Sequence, residues 1–157
     1  MNGAQIYCID SSSLIDGYRS IYPHNIFIGL WDKIDGLVQQ QRLIAPEQVY
    51  KELIDQDDDL AGWIKDRRQM FIAPDSDQDA VIRTIALNFP QLTRTVLLAD
   101  PADPWVVALA KVRGCLVVSE EKGRSHTNPK IPQICERFRV SHIPFLSIVK
   151  AEGWVFR

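Results

Sequence analysis

Short apolar runs alternate with stretches of helical spacing along this chain, and two of those runs end on acid. Ile6-Tyr7-Cys8-Ile9 ends on Asp10 and passes at once into Ser11-Ser12-Ser13. Cys115-Leu116-Val117-Val118 ends on Ser119-Glu120-Glu121. Strands that alternate with helices build an α/β fold, here a three-layer α/β/α sandwich around a central, mainly parallel sheet. In such sheets ligands bind beyond the carboxyl ends of the strands. Asp10 and the acids after Val118 stand at such ends. Carboxylates gathered there repel one another unless they hold protons or cations, so their placement points to a site for a hard metal ion.

The intervening segments extend the pattern. Residues 5–10 read as a buried strand, and Ser12 or Ser13 caps a short helix carrying Leu14, Ile15 and Tyr18. Residues 24–40 place Phe27, Leu30, Trp31, Ile34, Leu37 and Val38 at helical spacing. Leu43-Ile44-Ala45 predicts a strand, and Pro46 suits the first turn of a helix through Val49, Leu53 and Ile54. Asp57-Asp58-Asp59 opens a helix carrying Leu60, Trp63, Ile64 and Arg67. A brief strand at Phe71-Ile72 and a helix over 76–88 follow. Pro101 or Pro104 starts the next helix, and Gly114 ends it before a strand at 115–119. A polar loop runs to Pro132. The chain finishes with two short helices, or a helix and a strand, near 134–138 and 145–151. With no repeat, linker or low-complexity tract, residues 1–157 read as one domain.

A chain of 157 residues can bury its own core, and the net charge of −2 supplies no global basic field. Any polyanion site must therefore be local. Cys8, Cys115 and Cys135 form no CxxC pair, and an odd, unpatterned set points to buried thiols in a reducing compartment. No apolar run reaches the ~18 residues of a membrane span. The N-terminus lacks the basic start and apolar core of a signal peptide. The expectation is a cytoplasmic protein with no membrane association.

Each acid also has an ordinary structural use. Asp10 suits a turn or a helix cap. Asp100 and Asp103 each precede a proline, as N-caps do. Glu52, beside Lys51, suits a solvated helix face, and Glu120 and Glu121 suit loop charges. Their order says more than any one of them. An acid ends the first strand, another lies in a middle helix, a third opens a late helix, and a fourth follows the next strand.

That order resembles the PIN-domain nucleases, the class that includes the VapC-type toxins of bacterial toxin–antitoxin pairs. The first motif of that family, an apolar strand followed by Asp, any residue and Ser, Thr or Asn, reads here Ile9-Asp10-Ser11-Ser12, then Leu14-Ile15. The second, a Glu after an apolar helix start, reads Pro46-Glu47-Gln48-Val49-Tyr50-Lys51-Glu52-Leu53. The third, an Asp opening a helix of small apolar residues, reads Asp103-Pro104-Trp105-Val106-Val107-Ala108-Leu109-Ala110. The fourth, a strand followed by Thr or Ser, any residue and an acid, reads Val117-Val118-Ser119-Glu120-Glu121, with Glu where the family usually has Asp. The resemblance runs from residue 5 to about 150.

The resemblance implies a PIN-like fold and endonucleolytic hydrolysis of RNA, leaving a 5′-phosphate and a 3′-hydroxyl. It implies Asp10, Asp103 and Glu121 as metal ligands, with Glu52 completing the acidic ring. An oxygen-only donor set suits Mg²⁺ or Mn²⁺, and His24, His126 and His142 lack the spacing of a zinc site. Ser12 and Ser119 are placed to orient carboxylates or metal-bound water. Asp100 and Glu120 are supporting acids, Asp100 as an extra ligand or a cap. Lys122, Arg124 and Lys130, with His126 among them, can meet substrate phosphates. Arg67-Arg68 suits the polar end of a helix, and Trp31, Trp63, Trp105 and Trp154 suit core or interface anchors. The partners implied are an RNA substrate and a cognate antitoxin protein, with a homodimer left open. A phosphatase with an Asp nucleophile is disfavoured, because its usual second Asp is Ser12 here. A catalytically silent PIN-like module that binds RNA or protein, and a housekeeping RNA-processing nuclease, stand as the alternatives.

Overall fold

The computed structural model describes residues 4–56, 58–91, 102–122 and 129–157. At its centre lies β1 (Tyr7–Ile9), three consecutive buried residues, as expected of a strand covered on both faces. β2 (Leu43–Pro46) pairs with β1 on one side, and β3 (Phe71–Ile72) pairs with β2. On the other side β4 (Leu116–Val118) pairs with β1, and β5 (His142–Ile143) pairs with β4. The sheet is parallel throughout, in the order β3-β2-β1-β4-β5. Its strand order reverses between β1 and β4, and a crevice opens at such a reversal beyond the carboxyl ends.

After β1 come α1 (Ser11–Asp16), a π-helical turn at Gly17–Ile21, and α2 (Ile28–Gln39). After β2 come α3 (Glu47–Ile54) and α4 (Asp59–Lys65). After β3 the chain forms α5 (Ser76–Asn88) and then α6 (Ala102–Arg113). α7 (Ile131–Phe138) links β4 to β5, and α8 (Phe145–Glu152) follows. Right-handed crossovers put the helices after β1 and β2 on one face and those after β3 and β4 on the other, giving a three-layer α/β/α sandwich. α6 is the central helix of its layer. It packs on β1, β2 and β4 and carries α5 and α7. Every residue from Pro104 to Ala110 is buried, so this helix is apolar all round. Trp31, Trp63 and Trp105 are core residues, and Trp154 packs half-buried against the same core. Among the described residues no helix is long and apolar enough to cross a membrane.

Three local expectations change. The first helix is capped by Asp10, whose carboxylate accepts the N–H of Ser13, rather than by Ser12 or Ser13. The helix expected over 24–40 starts at Ile28, because the Pro23 carbonyl takes the N–H groups of Ile26 and Phe27 and holds a turn there. The end of the chain holds a helix, a two-residue strand and a second helix. β5 is too short to carry a sequence period, and its pairing with Val117 and Val118 defines it.

Candidate functional site

The reversal in strand order sets Asp10, at the end of β1, beside Ser119, at the end of β4. Parallel pairing of Ile9 with Val118 brings the two strand ends level, and Asp10 N–H closes the edge onto the Val118 carbonyl at 3.0 Å. Asp10 is only 1% exposed. Its two oxygens accept the Ser13 N–H at 2.8 Å, the Ser12 hydroxyl at 2.8 and 3.0 Å, and the Ser119 hydroxyl at 2.8 Å. Ser119 in turn accepts the Glu121 N–H at 3.0 Å, which fixes the direction of its own donation. The ordinary use of Asp10 as a helix cap and its place in an acidic site are thus both realised, by one carboxylate.

Carboxylate oxygens of Asp10, Asp103 and Glu121 lie within 4.8 Å of one another, a spacing at which one cation could contact all three. Asp103 stands in the first turn of α6, where the helix N-terminus favours negative charge. Glu121 follows β4 by three residues and accepts the Ile131 N–H, the first amide of α7, at 2.9 Å. The acids strain against one another. Burial raises the pKa of Asp10 to about 6, against the hydrogen bonds from Ser13, Ser119 and Ser12 that lower it, and the Glu121 charge adds to the rise. Burial raises Asp103 further, helped by the charge of Glu121, a hydrogen bond with it, and the charges of Asp10 and Glu52. Without a cation, the Asp103–Glu121 pair accordingly holds a proton.

The other sequence-derived residues fall into distinct places. Glu52, exposed on α3, reaches the edge of this group. Its carboxylate accepts the Ser11 hydroxyl at 2.6 Å and the Ala102 N–H at 3.2 Å, so it ties α1, α3 and α6 together. Glu120 is a correction. Its side chain turns away from the cluster and accepts the Phe145 N–H at 2.7 Å, capping α8 because Pro144 offers no side-chain cap. Of the two adjacent glutamates, Glu121 faces the site. Lys122 is exposed beside Glu121, and Lys130 is the N-cap residue of α7, next to the amide that Glu121 holds. Asp100, Arg124 and His126 lie outside the described residues. His24 and His142 are remote from the acids in role, His24 stacking on Tyr18 and His142 lying exposed in β5. Sequence reasoning missed Ser11 and the backbone donors of Ser13 and Ala102. Ser11 was findable, since it directly follows the strand-end acid, but no residue type announces a backbone N–H.

No curated protein matches the chain significantly. Among solved structures, the chain is similar to the one titled "Crystal structure of PAE2754 from Pyrobaculum aerophilum". Identity is 14% and the TM-score 0.46, over 97% of this chain and 100% of that one. A family model matches residues 7–156, nearly the whole length, and the chain belongs to that family, the domain of unknown function DUF4411.

Proposed function

We propose that the protein is a metal-dependent endoribonuclease, with Asp10, Asp103 and Glu121 holding Mg²⁺ or Mn²⁺. The observation that carries this reading is the group of three carboxylates within 4.8 Å at the reversal in strand order. The donor set fits: hard oxygens alone, and acids whose raised pKa values mark a place for positive charge. A bound divalent ion would polarise a phosphoryl oxygen and lower the pKa of an attacking water. The chain's own residues do the rest. Ser12, Ser13 and Ser119 hold Asp10 in one orientation. The α7 amide fixes Glu121. Glu52 ties α1 and α3 to the first turn of α6, which carries Asp103. Lys122 and Lys130 flank Glu121, where substrate phosphates would lie. The motif order that resembles the PIN-domain nucleases supports RNA as the substrate.

The same reading makes the protein the growth-arresting toxin of a toxin–antitoxin pair, acting in the cytoplasm, where its three buried free thiols stay reduced. A cognate antitoxin would inhibit it by placing an Arg or Lys against the acids. The test is cleavage of single-stranded RNA by purified protein with Mg²⁺, with Mn²⁺ and with EDTA, beside Asp10→Asn and Asp103→Asn. Metal-dependent cleavage lost in both variants is the expected result. Equal cleavage by all three proteins would sink the assignment, and no cleavage at all would favour a silent binding module. For the toxin role, inducible expression in a bacterial host should arrest growth with the native chain and not with Asp10→Asn. Normal growth at good yield would leave an RNA-processing nuclease.

A further inference from the structure

Ser11 bonds Glu52, and eight residues further along, Arg19 bonds Gln56 and Asp58. The segment from α1 through the π-helical turn and the segment from α3 into α4 therefore run side by side. They join the acidic site at one end to a cleft at the other. The cleft has a volume of about 340 Å³ and is lined by Tyr18, Arg19, His24, Asn25, Asp59 and Leu60 among others. Ser11 and Arg19 stand about two helical turns apart along this segment, on the order of 10 Å, so one nucleic-acid strand could span from the Glu52 contact to the cleft. Its wall is aromatic. His24 stacks on Tyr18 with ring centres 4.9 Å apart and planes 21° apart, and Trp31 backs both rings. Buried Leu60 also contributes to the lining. Asp58 is already used, by the Ala61 N–H and by Arg19. Asp59 and Asn25 stand exposed at the cleft, and Asp59 makes no ion pair among the described residues.

We propose that this cleft binds one unpaired nucleobase of the RNA, stacked on the His24–Tyr18 pair with its hydrogen-bonding edge toward Asn25 and Asp59. Every base has a π-face, and stacking on aromatic side chains is the usual means of holding single-stranded RNA. The Asp59 carboxylate and the Asn25 amide offer acceptors and donors to a base edge, and the carboxylate favours edges that carry N–H groups. The nearby Arg19–Asp58 ion pair cancels itself, so the cleft carries the single negative charge of Asp59 and offers nothing to a phosphate. The phosphates are then left to the lysines beside Glu121.

The inference rests on the nuclease reading, and the experiment separates the two. Kinetics are measured for the native chain, His24→Ala and His24→Phe on a 12-nucleotide single-stranded RNA. The same proteins are tested on bis(p-nitrophenyl) phosphate, which reaches the acids and has nothing to place in the cleft. A loss of about tenfold in kcat/KM on RNA for His24→Ala, carried mainly by KM, is expected from the loss of one stacked base. His24→Phe should retain native activity, and all three should hydrolyse the small ester alike. Equal RNA cleavage by His24→Ala would overturn the proposal and leave the cleft to a protein partner. An equal loss on both substrates would overturn it too, by assigning His24 a structural role. If the native chain cleaves neither substrate, the nuclease reading fails. Fluorescence anisotropy with the same RNA then decides the cleft: about tenfold weaker binding by His24→Ala sustains it, and unchanged binding removes it.

Discussion

Asp10 carries opposing demands. Its side chain accepts hydrogen bonds that favour the carboxylate, yet burial and the Glu121 charge favour the acid, and burial wins. The consequence for stability has a definite sign. The unfolded chain releases this proton near pH 3.8 and the folded chain near pH 6, so between those values the folded state binds more protons. Stability of the metal-free protein should therefore fall as pH rises from about 4 to about 6, by about 3 kcal/mol from this residue. Urea denaturation in EDTA across that range measures it. In Asp10→Asn the dependence should weaken to the share that Asp103, raised further, contributes over the same range, while the fold holds because Asn also caps helices well. A slope unchanged in the variant would place the titration elsewhere.

The helices α7 and α8 begin without side-chain caps of their own, and adjacent glutamates supply both from the end of β4. Glu121 meets α7 and Glu120 meets α8. A carboxylate at a helix N-terminus contributes about 1 kcal/mol through its hydrogen bond and the helix dipole. Glu120→Ala should accordingly lower the melting temperature by about 2–4 °C, and Glu120→Gln, which keeps an acceptor, by less. Equal losses in the two variants would mean that the bond to Phe145 is not what matters. The start of α8 is pinned from a second side. A Cβ added at Gly17 would lie 2.9 Å from Phe145 Cε2, and the Phe145 ring also meets Trp31 and Tyr22. Gly17→Ala should cost about 1–3 kcal/mol by overpacking, against the gain alanine usually brings to a helix. A stabilised variant in thermal unfolding would show that the ring can move aside.

At the scale of the molecule, Asp10, Asp103 and Glu121 come from three separate parts of the chain and meet only when the sheet has closed. A cation held by these carboxylates, as proposed, would therefore bind only the folded state, and its binding would be linked to folding. Melting temperature should rise with Mg²⁺ or Mn²⁺, by about 2.7 kcal/mol of stability at a metal concentration a hundred times the dissociation constant. Asp103→Asn should lose most of that increment and be the more stable protein in EDTA, since the native chain must take up a proton at this residue to fold and asparagine need not. An equal metal shift in native and variant chains would put the ions at other surface carboxylates.

Much of this was legible in the residues alone. Apolar runs at 6–9, 43–45 and 115–118 give strands whatever surrounds them, and helical spacing with proline and glycine boundaries gives most of the helices between. The order of Asp10, Asp103 and Glu121 along the chain also follows from sequence, because strand ends and helix starts are local features. Which of two adjacent glutamates faces the site does not. Glu120 and Glu121 are chemically alike, and only the positions of Ile131 and Phe145, brought in by α7 and α8, send one inward and the other to a cap. The start of α2 depends on the turn at Pro23, and β5 exists because β4 lies beside it. Glu52 is a solvated helix residue by sequence. It becomes a tie between three helices because Ser11 and Ala102, 41 and 50 residues away along the chain, are its neighbours in space. Local propensity and periodicity fix elements from nearby residues. Hydrogen bonds between distant residues depend on how those elements pack, and the tertiary structure alone decides that.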